Sequence, residues 1–353
     1  MDRIVLFFII TLFYCIVSSI GRDEKIERVV FIVLTSIVLV LASALRGLSV
    51  GPDTHQYYEL FEEVKDYSFK EIWQSMVSNG PITKDPFYSM FEKVFQLFSV
   101  DYNAYLGLVA ILFCSSLGNF LYKNNLTLKE LYVSYVFYLG LFYGFYSITG
   151  IRQTIAVAFT MYAYTSLLNK KTLSFLLFTF VAYLFHASAI VFLLSFFIIR
   201  IKNLKALTYC VLLCLPVIFI FRYEIFSYFI VASGLDERFI IYMEESYGGS
   251  LAVLTLYVVV LIAVLLNLRS IPPKSKIENH IKMYMVCMLG LPLLFVSGSG
   301  MRITQYFSVS MFVLVPYFTS GLRVRSKYFL AVLFMFLLIV IAYRDQPYVF
   351  YWQ

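Results

Sequence analysis

Charge is scarce in this sequence. Only 14% of its 353 residues are charged, while 61% are hydrophobic and the mean hydropathy is +0.82. Ordinary soluble domains carry about 25% charged residues. A soluble globule of this size could not solvate such a surface, so a cytoplasmic enzyme and a disordered chain are both excluded. Cysteine is scarce as well. The five cysteines (Cys15, Cys114, Cys210, Cys214 and Cys287) all lie inside apolar runs, which excludes a secreted disulfide scaffold. Cys210 and Cys214 are a helical turn apart, but no histidine or carboxylate adjoins them, so they read as buried thiols rather than a metal site. The sequence lacks a Gly-x-x-x-x-Gly-Lys loop, a dinucleotide glycine fingerprint and any zinc-ligand spacing, so neither a cofactor nor a metal is expected. Acidic residues are missing from the centres of the apolar runs, where ion-coupled transporters keep them.

What is present is a series of long apolar runs, the mark of an all-α polytopic membrane protein rather than an outer-membrane barrel. The runs are Ile4–Ile20, Val29–Leu45, Tyr102–Tyr122, Glu130–Ile148, Ile151–Leu168, Leu173–Ile199, Leu204–Phe221, Ser250–Leu268, Ile281–Val296, Ile303–Gly321 and Tyr328–Tyr343. Arg22, Lys25 and Arg28 follow the first run and only Arg3 precedes it, so it reads as a retained helix with its N-terminal end outside, not a signal peptide. Leu173–Ile199 is 27 residues long, about 40 Å as one helix, and too long to cross without steep tilt. Read as two short half-spans turning near His186, it gives twelve crossings and places both termini outside. Seventeen basic and five acidic residues then fall inside, a net of +12, and the outside carries −5. The overall charge of +7 is therefore an orientation signal and not a nucleic-acid footprint. A single integral membrane domain, residues 1–353, is expected. It has an external loop over 46–101 and a smaller one over 222–249.

The outer face carries groups that orientation does not explain. Arg46 ends the second span, Arg152 opens the fifth, His186 sits at the short hairpin, and Arg302 opens the eleventh. Intramembrane arginines cost about 2.5–3.5 kcal/mol on insertion scales, and the planar guanidinium fork matches phosphate oxygens. A phosphorylated ligand at the outer leaflet is the partner these residues suggest. Each has a plainer alternative: Arg46 snorkelling to headgroups, Arg152 and Arg302 pairing with carbonyls or carboxylates, His186 bonding a carbonyl in the core.

After Arg46, Gly47, Gly51 and Pro52 make a tight loop. Asp53 is placed either to cap a helix running through Tyr57, Phe61 and Val64, or to act as a general base. Phe87–Val100, with Phe91, Val94, Phe95 and Phe98, reads as an amphipathic interfacial helix on the outer surface. External tyrosines, among them Tyr57, Tyr146 and Tyr306, are candidates for stacking on sugar rings.

These residues resemble a known family. Leu45–Arg46–Gly47 with Val50–Gly51–Pro52–Asp53–Thr54 and Tyr57 looks like the N-terminal signature of the EpsG-like polysaccharide polymerases, relatives of the Wzy O-antigen polymerases. Gly150–Ile151–Arg152–Gln153 with Ala156, Phe185–His186–Ala187–Ser188–Ala189, and Arg302 with Tyr306 are similar to their later motifs. The family usually has Gly-Thr-Asp where this chain has Gly51–Pro52–Asp53.

The resemblance implies a GT-C-like glycosyltransferase at the outer face of the cytoplasmic membrane. It would move a glycan from undecaprenyl diphosphate onto the next lipid-linked repeat unit. On that reading Arg46, Arg152 and Arg302 hold the diphosphate, Asp53 or His186 takes the hydroxyl proton, and Tyr57, Gln153 and Tyr306 contact sugar. The partners implied are the lipid-linked oligosaccharide, membrane lipid and a chain-length regulator. The alternatives are an O-antigen ligase, which would need a larger external loop late in the chain, and a lipid-linked oligosaccharide flippase, which would need cations reachable from both faces.

Overall fold

The computed structural model describes residues 2–21, 23–78, 86–124, 127–232, 251–296, 298–320 and 348–353. Among these the chain is helical, with one isolated β-bridge and no strand. The helices are α1 (Arg3–Ser19), α2 (Glu24–Ala44), α3 (Thr54–Glu63), α4 (Phe69–Ser78), α5 (Pro86–Gln96), α6 (Tyr102–Asn124), α7 (Leu128–Leu141), α8 (Ile151–Leu168), α9 (Thr172–Phe185), α10 (Leu194–Ile198), α11 (Leu204–Ile220), α12 (Arg222–Ala232), α13 (Leu251–Asn267), α14 (Lys276–Gly290), α15 (Gly298–Ser308) and α16 (Met311–Ser320). The expected run Ile151–Leu168 is helix α8 to the residue. Among the described residues two helices, α2 and α6, are long and apolar enough to cross a membrane. The eleventh expected span is interrupted between α15 and α16, and the twelfth, Tyr328–Tyr343, lies outside the described residues. So does most of the loop expected over 222–249, of which α12 is the described part.

The chain divides into two compact units. The first comprises residues 1–190 and 319–353. In it α1 and α2 pack as a hairpin, α2 lies on α6, α6 on α8, and α8 pairs with α9. The α8–α9 turn is tight because Lys170 takes a left-handed conformation, letting the Lys171 amide reach back to the Ser166 carbonyl at 2.9 Å. Large apolar side chains remain exposed on its outer helices, including Phe8, Leu12, Ile37 and Leu177. Apolar surface on that scale is stable against lipid, not water.

One end of this unit carries the basic turns. Arg28 at the start of α2 donates to the Tyr122 carbonyl at the end of α6, and Lys123, Lys129, Lys170 and Lys171 cluster at connections on that end. The opposite end carries the Arg46 corner, the start of α8, and the C-terminal tail. That tail is pinned there by Gly47 N–H to the Val349 carbonyl (2.8 Å) and Tyr351 N–H to the Leu45 carbonyl (3.0 Å). Tyr348 N–H donates to the Asp2 carboxylate at 3.2 Å, so Asp2 is at this end too.

The second unit comprises residues 191–318. In it α14 packs on α15, α11 and α10. At the start of α14, Glu278 and Lys282 form a buried ion pair at 2.7 Å, and Ser275 caps the helix.

The expected break near His186 is visible locally. Helix α9 ends at Phe185, His186 is extended (φ −154°, ψ 111°), and a 3₁₀ turn begins at Ala187. At 14 residues, α9 is about 21 Å long, short of a bilayer core.

The segment 46–101 folds into α3, α4 and α5. The helix expected over Phe87–Val100 is present as α5 and stops at Gln96, and several of its rings pack on other helices. Phe91 meets Tyr105 of α6 (6.0 Å between ring centroids) and Phe185 of α9 (5.3 Å), and Phe95 meets Tyr105 (5.3 Å). Each such aromatic pair adds packing energy beyond the burial of its area. Phe98 lies past the helix end and stays exposed.

Candidate functional site

The site is built where α8 begins. After α7 the helix widens into a π turn, Gly144–Ile148, and Gly150 then takes a left-handed conformation (φ +64°) before α8 starts. Only glycine adopts that backbone cheaply. The turn points the first residues of α8, Ile151–Arg152–Gln153, at the loop that follows Arg46. That loop docks through Gly51, whose φ is +97° and whose absent side chain leaves room for Ile148: a Cβ there would lie 2.6 Å from the Ile148 Cγ2. Thr54 closes the loop by donating to the Val50 carbonyl at 2.6 Å.

Arg152 is half-buried in the first turn of α8. Its Nε donates to the Tyr57 hydroxyl at 3.4 Å, and its guanidinium lies 5.6 Å from the Tyr57 ring centroid and 6.0 Å from that of Tyr88. These are cation–π distances. Asp53 occupies the N-cap position of α3, where its carbonyl accepts from Tyr57 N–H at 3.0 Å. Its carboxylate makes no cap hydrogen bond and is half-buried. Four residues separate Asp53 from Tyr57, so the two share a face of α3. Arg152, Tyr57 and Asp53 are thus gathered at one end of the first unit.

Arg46 has a different environment. It is 2% exposed, and its Nη1 donates to the Ser43 carbonyl (3.0 Å), the Ser43 hydroxyl (2.9 Å) and the Ser147 carbonyl (2.7 Å). Ser43 also donates to the Ser147 carbonyl, at 2.8 Å. The π turn leaves that carbonyl available, since widening the helix unpairs part of its ladder. A cavity of about 10 Å³ borders Arg46, Ser43, Ser147, Thr149 and Thr154, room for one water and not for a phosphate. The geometry ties Arg46 to the corner between α2 and the π turn rather than presenting it to a ligand.

His186 bonds through Nδ1 to the Ser188 hydroxyl at 2.8 Å. Its neighbour Phe185 stacks on Phe159 (5.8 Å, 10°), seven residues along α8 from Arg152. Phe185 also meets Phe87 (5.2 Å) and Phe91 (5.3 Å) of α5. Gln153 is buried at 7% exposure, so it packs within α8's surroundings and does not line open surface. Arg302 and Tyr306 belong to the second unit. Arg302 is exposed on α15, while Tyr306, a turn later, is fully buried, which encloses the ring expected to stack on sugar.

One residue escaped the reading of the sequence. Glu92 of α5 is 0% exposed, and the Tyr88 hydroxyl, one turn back on the same helix, acts on its carboxylate. Burial lifts its pKa from the ordinary carboxylate range to about 8, against the pull of the nearby Tyr88 hydroxyl and the Arg152 charge. The Tyr88 hydroxyl is itself buried, and its ring meets Tyr57 (6.0 Å) and Tyr105 (6.3 Å). The signal was in the sequence. Glu92 falls four residues after Tyr88 and beside Phe91, on the apolar face of an amphipathic helix, where a carboxylate is out of place.

Comparisons with curated proteins and with solved structures give no match. The model of the EpsG family matches residues 29–349, a span that holds every site residue described above. By that match over nearly its whole length, the chain belongs to the EpsG family.

Proposed function

We propose that this protein is a polysaccharide polymerase that joins lipid-linked repeat units at the outer face of the cytoplasmic membrane. Family membership supports a polymerase-type role in polysaccharide biosynthesis. The observation that carries the finer reading is Arg152. It stands at the N-terminus of α8, against two tyrosine rings, at the end of its unit opposite the basic turns. Basic turns prefer the cytoplasm, so the Arg152 end faces out.

In this reading Arg152 and the positive end of α8 hold the diphosphate of the donor and stabilise the charge that develops as it leaves. The glycosyl carbon's bond to the phosphate oxygen breaks, and a bond to the acceptor's hydroxyl oxygen forms. The hydroxyl proton passes to Asp53, which shares a helix face with Tyr57. His186 takes second place as proton acceptor, because its Nδ1 is engaged by the Ser188 hydroxyl. Tyr57 is itself buried, so it holds Arg152 in place rather than stacking on a sugar. Arg302 is proposed as an anion ligand in its own right, since it is exposed at the start of α15. Arg46 is proposed as an anchor for the loop that carries Asp53.

The test is elongation in liposomes given undecaprenyl-diphosphate repeat units on the Arg152 side. Wild type should lengthen them, and Arg152→Ala should insert normally and lose polymer by 10²-fold or more, about the cost of removing one oxyanion donor. Normal polymer from Arg152→Ala would defeat the assignment. Translocation without lengthening would favour a flippase, and transfer only to a lipid A core acceptor would favour a ligase.

A further inference from the structure

Helix α4 does not enclose its apolar residues. Phe69, Trp73 and Val77 recur along it at four-residue spacing and are 39%, 57% and 71% exposed. Ile72 of the same helix is 0% exposed and Ser75 is 5% exposed, so one edge is packed, and α4 packs on α5. At about 100° per residue, going round the helix from buried Ile72 brings Met76, Phe69, Trp73 and Val77 in turn, and then Lys70 and Gln74. The side chains therefore sort into three arcs. Ser75 and Ile72 are buried; Met76 to Val77 form an apolar flank that opens progressively; Lys70, Gln74 and Glu71 are polar and exposed. A helix packed on protein in water needs two arcs, apolar inward and polar outward. A third arc, apolar and open, fits a helix lying at a boundary, with protein on one side, lipid on the next and water on the last.

Place and chemistry decide what covers the open flank. Helix α2 ends at Ala44 and α6 begins at Tyr102, and both are long and apolar enough to cross a membrane. Asn103 of α6 bonds the Ala44 and Arg46 carbonyls, so the chain leaves the bilayer and returns to it at one end of the unit, with α4 between the two points. Leu97, Phe98 and Val100, immediately ahead of α6, are exposed as well, so open apolar side chains continue to the edge of a span. A second copy of the chain would need an interface of about 1,000 Å², and two aromatic side chains of about 150–250 Å² each with one valine do not supply it. A sugar stacked on Trp73 would set its hydroxyls against Phe69, Met76 and Val77, which cannot bond them. We propose that α4 is an interfacial helix docked on the phospholipid leaflet at the Arg152 end, with Phe69, Trp73 and Val77 in the boundary between headgroups and acyl chains and Lys70 at the edge of the flank, within reach of lipid phosphates. Tryptophan suits that depth, because its ring is apolar and its N–H meets the headgroup region. The docking ties the segment that carries Asp53 and Tyr57 to the membrane surface, and it stands whether or not Arg152 holds a diphosphate.

The experiment uses the full chain with Trp352→Phe, which leaves Trp73 as its one tryptophan, in liposomes of phosphatidylcholine and phosphatidylglycerol. Bromines placed on the acyl chains near the headgroup should quench Trp73 emission about twofold more than bromines near the chain end, because an interfacial helix sits about 5–10 Å into the boundary. Quenching by neither lipid overturns the proposal, and so does stronger quenching from the chain end, the mark of a deeply inserted helix. Emission that ignores bromine but shifts with added oligosaccharide assigns the flank to a glycan. Emission that ignores bromine but changes with the protein-to-lipid ratio assigns it to a second copy, and either result overturns the lipid surface. A second pair of reporters reads the orientation in a variant without the native cysteines. An environment-sensitive fluorophore on Val77→Cys should be blue-shifted and quenched by bromolipid, while the same fluorophore on Gln74→Cys should stay water-like and unquenched. Equal behaviour at the two positions overturns the division of α4 into a lipid flank and a water face.

Discussion

Arg46 and Arg152 are the same residue type at the same end of one unit, and their surroundings assign them opposite work. The first donates to three oxygens of the protein; the second lies against the rings of Tyr57 and Tyr88 and donates to the Tyr57 hydroxyl. Neither use is visible in a string of letters, because it depends on which carbonyls and rings the fold brings within 3–6 Å. Glu92 makes the same point with a consequence for stability. Its folded pKa, about 8, lies above the ordinary value of 4.5. Between those values the unfolded chain gives up the proton and the folded chain keeps it, so ionisation favours unfolding. The stability present below pH 4.5 is progressively lost as pH rises and is fully lost above about pH 8. Glu92→Gln should therefore match wild type in melting temperature at low pH and exceed it increasingly up to about pH 8, by an amount on the order of a few kcal/mol. Thermal melts across that range check this, and a gap that does not grow with pH would remove the buried carboxyl from consideration.

Among the elements, the corner after α2 is the most strongly determined. Asn103 of α6 donates to the Ala44 carbonyl (2.6 Å) and the Arg46 carbonyl (3.0 Å), the C-terminal tail adds two backbone bonds, and Arg46 ties the corner to the π turn. Arg46→Ala would take away the Arg46 donor from the Ser43 carbonyl and hydroxyl and from the Ser147 carbonyl, leaving the Ser43–Ser147 bond alone to hold the corner. Leaving such groups unpaired costs about 1–3 kcal/mol each. The variant should unfold about 2–4 kcal/mol more easily than wild type, and Arg152→Ala, which removes a half-buried side chain, should be close to wild type in the same denaturation. Equal loss in both would mean that Arg46 is not the anchor. At this scale the sequence was informative where physics is local. The break after Phe185, the helix after Pro52 with Asp53 at its cap position, and the start of α8 at Ile151 were all legible from turn residues and run length. The fate of Phe91 and Phe95 was not, since amphipathic spacing is identical for a helix that faces lipid and one that faces protein.

Across the whole molecule, charge and apolar surface set the frame. Basic residues gather at one end of the first unit, the Arg152 site occupies the other, and Phe8, Ile37 and Leu177 stay exposed between. A cysteine at exposed His55, in a variant without the native cysteines, should react with an impermeant maleimide added outside intact cells, and one at exposed Lys170 should not. The reverse pattern would put the site in the cytoplasm, where no outer-leaflet polymerase could work.

The sequence by itself determined the helical class, the positions of most helices and the short list of unusual arginines, because hydropathy, run length and charge bias act through local transfer energies that need no partner. Only the tertiary structure decided that Arg46 is enclosed and Arg152 is presented to the site, that Tyr306 is buried, and that Glu92 shares the surroundings of Arg152. Those outcomes depend on residues meeting across long stretches of sequence, 95 positions between Tyr57 and Arg152 and 104 between Ser43 and Ser147. No periodicity within one helix encodes such a meeting.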